Sequence, residues 1–155
     1  MNGAATPLGY RLTVSGIAVL TAVSPYIADF NETHIYNPRW TPHAKFHAAQ
    51  TMLLGTALGG LTLALAWGKS GEARNRVDMS AVAAASFWLT QAGSLLFPGT
   101  AVVDPEFGER LPKIGGMTVT QAHADVLLLG VLAMAWWRGR RSSKRTNQSD
   151  PSVRH

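Results

Sequence analysis

Long apolar segments alternate with short polar connections along the chain. The apolar segments cover about residues 12–28, 48–67, 79–97 and 118–137, and none contains Lys, Arg or Glu. A helix that crosses the bilayer core needs about 20 largely apolar residues. The pattern therefore predicts an all-α integral membrane protein, a bundle of four transmembrane helices within residues 1–137. A soluble bundle is disfavoured because these segments leave too little polar helix surface to face water.

The distribution of basic residues predicts the orientation of these helices. Of 14 Lys and Arg residues, ten fall on one side of the predicted membrane, with both termini, and four fall on the other. The positive-inside tendency then predicts a multi-pass cell-membrane protein with both termini in the cytoplasm. The first segment also has features of a cleaved signal peptide, an alternative that leaves the following connection outside.

Composition narrows the classes of chemistry and partner. There is no cysteine, so disulfides, thiolate nucleophiles and cysteine-based metal sites are excluded. Residues 138–155 are rich in Ser and basic residues without apolar periodicity, which predicts a disordered basic cytoplasmic tail. The tail lacks interleaved aromatic residues, so we expect attraction to anionic lipid headgroups and no nucleic-acid partner.

The unusual polar residues gather at the predicted outer ends of the helices, whereas the cytoplasmic ends show only charges typical of a solvated surface. His43 and His47 are four residues apart and Gln50 follows three later, so they share one helix face. Gln121 and Asp125 share a face of the fourth segment, and His123 points away from it. The residues expected to bind a substrate here are Trp40, Gln50, Trp88, Gln91 and Gln121.

Asp125 is the most informative single residue. It lies inside the fourth apolar segment, where an ionised carboxylate facing lipid costs several kcal/mol, so we expect it to face the bundle interior. One hypothesis is acid/base catalysis of isomerisation or cyclisation on a lipid-like small molecule, with His43, His47 and Asp125 as the catalytic groups. The competing interpretation is a carboxylate held by His47 or Gln121 only to fix helix packing.

Two further hypotheses concern the histidines. A His-x-x-x-His pair on a helix can bind a divalent metal, the one cofactor considered, through His43 and His47. A third ligand would come from Asp125, Asp29 or Glu32. Alternatively, the stretch NETHIYNPRWTPHAKFH is a non-catalytic folded connection that packs on the helix ends, with Thr41 capping the second helix and proline at its first position.

The same stretch carries a family resemblance. Together with the four apolar segments, it resembles a family of small integral membrane proteins of unassigned function, which implies a four-helix membrane architecture but no reaction. The residues that carry this resemblance are Asn31, Thr33, His34, Asn37, Pro38, Trp40, Pro42, His43 and His47. The chain is also loosely similar to four-helix membrane sterol isomerases, which place a His and acidic residues in a membrane pocket. Here Gln50 stands where an acid would be expected beside His47.

Overall fold

The fold is mostly helical. A computed structural model describes residues 5–148 of the chain, and side chains within 5–143. In chain order, its elements are α1 (Leu8–Asp29), α2 (Pro42–Trp67), α3 (Ala73–Ser94), the 3-10 helix η1 (Pro105–Arg110), the short strands β1 (Lys113–Ile114) and β2 (Met117–Thr118), and α4 (Gln121–Gln148). Two of them, α1 and α2, are long and apolar enough to span a membrane.

The four α-helices lie side by side with alternating direction. Trp67 near the end of α2 donates to Ser15 near the start of α1, and Trp136 of α4 donates to Asp78 near the start of α3. Helix α1 packs against the other three, whereas α2 and α4 do not pack against each other over the described residues. We call the end with Asp29 and Gln121 the upper end, and the opposite end the lower end.

Helices α1 and α2 approach closely at two glycines of α2. A Cβ placed on Gly55 would lie 2.6 Å from the carbonyl oxygen of Thr21, and one on Gly59 would lie 2.6 Å from that of Ala18. The Thr21 carbonyl is one that helix α1 leaves without its usual donor, because Pro25 four residues later has no N–H. Only glycine lets the two backbones come this close, as in small-residue helix contacts of membrane proteins.

The helix boundaries differ from the sequence expectation in two places. Helix α3 begins at Ala73 rather than near residue 79. Its first turn is charged, so a prediction from hydropathy starts the helix too late. Helix α4 continues to Gln148, so the part of the predicted disordered tail from 138 to 148 is helical. Arginine is a good helix former, which lets the helix continue beyond the apolar segment. Residues 149–155 of that tail lie outside the described chain.

The connection between α3 and α4 contains a 3-10 helix and a short hairpin, neither of which the apolar pattern predicts. Strands β1 and β2 form a short antiparallel hairpin, and Gly115 and Gly116 form its two-residue turn. Their φ values of 58° and 82° fit a turn type that favours glycine at both positions. An ion pair between Arg39 and Glu106 joins this connection to the one between α1 and α2. The two upper connections are therefore linked by their side chains at this end of the helices.

Candidate functional site

The connection between α1 and α2 is a compact cap built from side chain to backbone hydrogen bonds. The Asn31 amide donates to the carbonyls of Ile27 and Ala28 at 2.9 and 2.8 Å, which satisfies the last turn of α1. Asn37 is only 2% exposed, and its Oδ1 accepts from the backbone N–H of Arg39 at 2.9 Å. The side chains of Asn31 and Asn37 therefore fix the path of the chain between α1 and α2.

The ring of His34 is held within this cap. Its Nδ1 lies 2.6 Å from the Thr33 hydroxyl, and its Nε2 lies 3.7 Å from a carboxylate oxygen of Asp29. Trp40 packs edge-on against the imidazole, with 4.5 Å between ring centroids. Every polar atom of the ring has a neighbour inside the cap, and Trp40 belongs to the same packing unit. These contacts support the interpretation of this stretch as a folded connection.

His43 and His47 form a direct pair on the first turns of α2. Thr41 caps that helix by accepting from the N–H of Ala44 at 3.2 Å, and Pro42 occupies its first position, as the sequence predicted. One turn apart, the two imidazoles place their Nε2 atoms 3.1 Å from each other. On the other side of the His47 ring, Nδ1 lies 3.3 Å from the Gln50 side-chain oxygen. The predicted shared face therefore exists.

The helix face that carries His43 and His47 is exposed and points away from the interior of the helix assembly. Helix α2 buries the face that carries Met52, Gly55 and Gly59, whereas His43, His47 and Gln50 are exposed.

A second polar cluster lies between α3 and α4 at the upper end. The Gln121 amide donates to the Gln91 side-chain oxygen at 3.0 Å, which links the two helices. One turn below, Asp125 is only 3% exposed, as expected for a carboxylate that faces the interior. Its Oδ1 atom has no hydrogen-bond partner among the described residues. A buried carboxylate oxygen without a donor is costly to the folded state.

Trp88 is a core residue and not the pocket wall that the sequence suggested. Its side chain is 2% exposed, and its indole N–H donates to the Thr21 hydroxyl of α1 at 3.0 Å. The ring also packs edge-on against Phe87 at 5.3 Å. The indole is thus fully used in joining α3 to α1, which leaves no surface for a substrate. We therefore remove Trp88 from the candidate binding residues.

The structure divides the remaining predicted site residues into separate groups. His43, His47 and Gln50 are together on α2, Gln91, Gln121 and Asp125 are together between α3 and α4, and Trp40 is in the cap. Within the described chain no ion pair joins either α2 histidine to Asp125. No group of three His, Asp or Glu side chains that could hold a metal occurs in that part of the chain either.

His123 has a local structural role. Residue Thr120 precedes α4, and its backbone N–H donates to Nδ1 of His123 at 3.2 Å, in the manner of a capping box. The Thr120 hydroxyl lies 2.9 Å from the same nitrogen. This histidine faces away from Asp125, as expected, and stabilises the start of the helix. Its spacing of three residues from a threonine is the signal that identifies this role.

The lower end contains a buried polar network that the sequence analysis missed. Arg76 is 6% exposed, and its guanidinium donates to the Thr6 hydroxyl and to the carbonyls of Ser70 and Gly71. The Tyr10 hydroxyl lies 2.7 Å from that of Ser80. The expectation of purely solvated charge at this end was therefore wrong. An arginine one turn before an apolar run was the available signal, because its long stem can be buried.

The fold and these clusters define a mostly helical protein with two helices of membrane-spanning length and with polar clusters at both ends. The chain belongs to a family of proteins of unknown function, DUF6640, whose profile matches residues 13–144. No curated protein and no solved structure matches the chain significantly.

Proposed function

We propose that the chain is an integral membrane protein with four transmembrane helices, its lower end in the cytoplasm. The hydropathy and length of α1 and α2 support this. Helices α3 and α4 also carry large apolar side chains on their outer surfaces, including Val82 at 61% exposure and Leu127 at 66%. In a bilayer these apolar surfaces would face lipid, whereas in a soluble protein they would be exposed to water, which is unfavourable. The alternating direction of the four helices supports a topology with both termini on one side, the side that carries most of the basic residues.

Reporter fusions test this topology. A reporter enzyme that is active only outside the cytoplasm is fused after His155, and in a second protein it is inserted between β1 and β2. We expect activity only from the insertion, because it lies in the upper connection. Activity from the C-terminal fusion would contradict the proposed orientation.

We further propose that the upper end acts on an apolar, lipid-like small molecule, with Asp125 as the acid/base group. The buried Asp125 oxygen without a hydrogen-bond partner is the observation that carries this proposal. Ionisable groups within membrane helices are expensive and are usually functional. The paired Gln91 and Gln121 side chains are half-buried, so they can orient the polar group of a substrate above the carboxylate. His43 and His47 have no part in this version of the site.

Trapping of an unconverted substrate tests the acid/base role. Wild-type protein and the Asp125→Asn variant are purified without added ligand, extracted with organic solvent, and the extracts compared by mass spectrometry. Because the amide cannot transfer a proton as the carboxylate does, we expect the variant to retain a lipid-like molecule that the wild type converts. Asp78→Asn is the matched control, since it removes a carboxylate at the lower end. Identical extracts from a folded Asp125→Asn variant would refute the proposal.

A second candidate function is divalent-metal binding by His43 and His47. Two imidazole nitrogens bound to one tetrahedral zinc ion at about 2.0–2.1 Å are about 3.3 Å apart. The two Nε2 atoms lie 3.1 Å apart on an exposed face, close to that separation. The pair would supply two ligands, and water or another molecule the others.

Metal content of protein purified without chelator tests this second function. We expect stoichiometric zinc, iron or copper in the wild type, and its loss in both His43→Gln and His47→Gln. His34→Gln and His123→Gln are controls, because those rings lie in the cap and at the start of α4. Wild-type protein without stoichiometric metal, or equal metal in all variants, would exclude the pair as a metal site.

A further inference from the structure

A groove of about 780 Å³ runs between α1 and α4 on the outside of the helix assembly. Two glycines in its wall face open space: a Cβ on Gly9 or on Gly130 would meet nothing within 4 Å. The rest of its wall is mostly apolar and includes Leu127, Val131 and Met134 of α4. Under the proposed topology this groove opens sideways to the bilayer, so the ligand that reaches it first is a lipid chain.

The apolar part of the groove matches one leaflet in length. The groove wall on α4 extends from Val126 to Ser142, and its apolar part, from Val126 to Arg138, spans twelve residues or about 18 Å. The hydrocarbon core of a bilayer is about 30 Å thick, so one leaflet contributes about half of that. Trp136 and Trp137 precede Arg138 and mark the depth at which aromatic residues usually meet the headgroups. A single acyl chain of the lower leaflet therefore fits this groove lengthwise.

A basic side chain lies at the headgroup end. Arg138 lines the groove, and no carboxylate of the described residues forms an ion pair with it. The neighbouring arginines are engaged elsewhere: Arg140 lies 3.2 Å from Asp78, and Arg141 stacks over the Trp137 ring at 3.8 Å. Arg138 thus offers its guanidinium to a group that carries negative charge, such as a phosphate.

We propose that the groove between α1 and α4 binds an anionic glycerophospholipid of the cytoplasmic leaflet, with one acyl chain along α4 and the phosphate on Arg138. An anionic lipid is favoured over a zwitterionic one because the headgroup then brings no ammonium toward the guanidinium. This inference rests on the proposed membrane topology, but not on chemistry at Asp125 or metal binding at the α2 histidines.

Competition between two lipids tests the proposal. The full-length protein in detergent is mixed with equal amounts of phosphatidylglycerol and phosphatidylcholine that carry the same acyl chains, and bound lipid is measured by native mass spectrometry. We expect the wild type to retain phosphatidylglycerol preferentially. Arg138→Gln should lower that retention about fivefold, since one basic residue near a membrane surface contributes about 1 kcal/mol. Arg141→Gln, a neighbouring charge outside the groove, should leave retention unchanged.

Filling the groove provides the second arm of the test. Gly130→Leu places a side chain in the open space of the groove, and we expect it to abolish retention of both lipids. Gly60→Leu is the matched control, because Gly60 also has nothing within 4 Å but lies on the exposed face of α2.

Three results would overturn the proposal: equal retention of the two lipids by the wild type, full retention by Gly130→Leu, or retention unchanged by Arg138→Gln. Asp125→Asn should bind phosphatidylglycerol normally, which separates this site from the proposed upper site. The detergent assay also does not depend on orientation, so a failed topology test stays distinguishable.

Discussion

Replacing Asp125 by asparagine should make the protein more stable. The side chain is 3% exposed and its Oδ1 has no donor, so the native state bears the desolvation cost of an unsatisfied polar group. Such a group costs about 1–3 kcal/mol, and more when it is charged. Asparagine keeps the shape of the side chain and still places a polar atom at the unpartnered position, but it carries no charge. We therefore expect a gain of about 1 kcal/mol in the free energy of unfolding from the loss of the buried charge.

Thermal unfolding in detergent at pH 7 measures this change. For a chain of about 150 residues, 1 kcal/mol corresponds to a rise of about 2–4 °C in the melting temperature. Asp78→Asn is expected to change stability in the opposite direction, because that carboxylate accepts from the Trp136 indole at 2.8 Å and pairs with Arg140. A fall in melting temperature for Asp125→Asn would refute the reasoning. It would show that the carboxylate holds α3 and α4 together, the packing role that the sequence left open.

Two further predictions concern the helix contact and the cap. Gly55→Ala should destabilise the protein by about 1–3 kcal/mol in thermal unfolding, because its Cβ would meet the Thr21 carbonyl at 2.6 Å. Gly60→Ala, in open space on the same helix, should be neutral or stabilising by up to about 1 kcal/mol, and equal losses for both would contradict the close contact. Asn37→Ala should speed proteolytic cleavage of the cap more than it lowers the melting temperature, since its hydrogen bonds are local. Unchanged cleavage would show that the cap does not depend on them.

The apolar pattern predicted the number of long α-helices but not all their ends. Hydropathy identifies the apolar part of a helix but does not detect polar turns that extend it. It therefore missed the charged first turn of α3, which buries Arg76, and the arginine-rich continuation of α4. The hairpin at Gly115 and Gly116 was also overlooked, although paired glycines are a turn signal.

The candidate site could be predicted only in part, because helical periodicity fixes which residues share a face but not what that face contacts. His43 and His47 share a face as predicted, yet that face is exposed. The contact face of α2 follows from Gly55 and Gly59, whose missing side chains permit the close approach of α1. Relative to these glycines, His43 and His47 lie off the contact face of α2. Distances between helices, such as that from His47 to Asp125, have no signal in a single sequence.

The tight contact between α1 and α2 has a consequence for how the protein is made. The two helices are adjacent in the chain, their connection is fixed by its own side chains, and their backbones meet at Gly55 and Gly59. All of these interactions are available before α3 is synthesised, and local contacts form early in folding. Under the proposed topology, we expect the α1 and α2 hairpin to enter the bilayer as a finished unit. The Trp88 indole, which donates to Thr21 of α1, then gives α3 a defined contact on that hairpin.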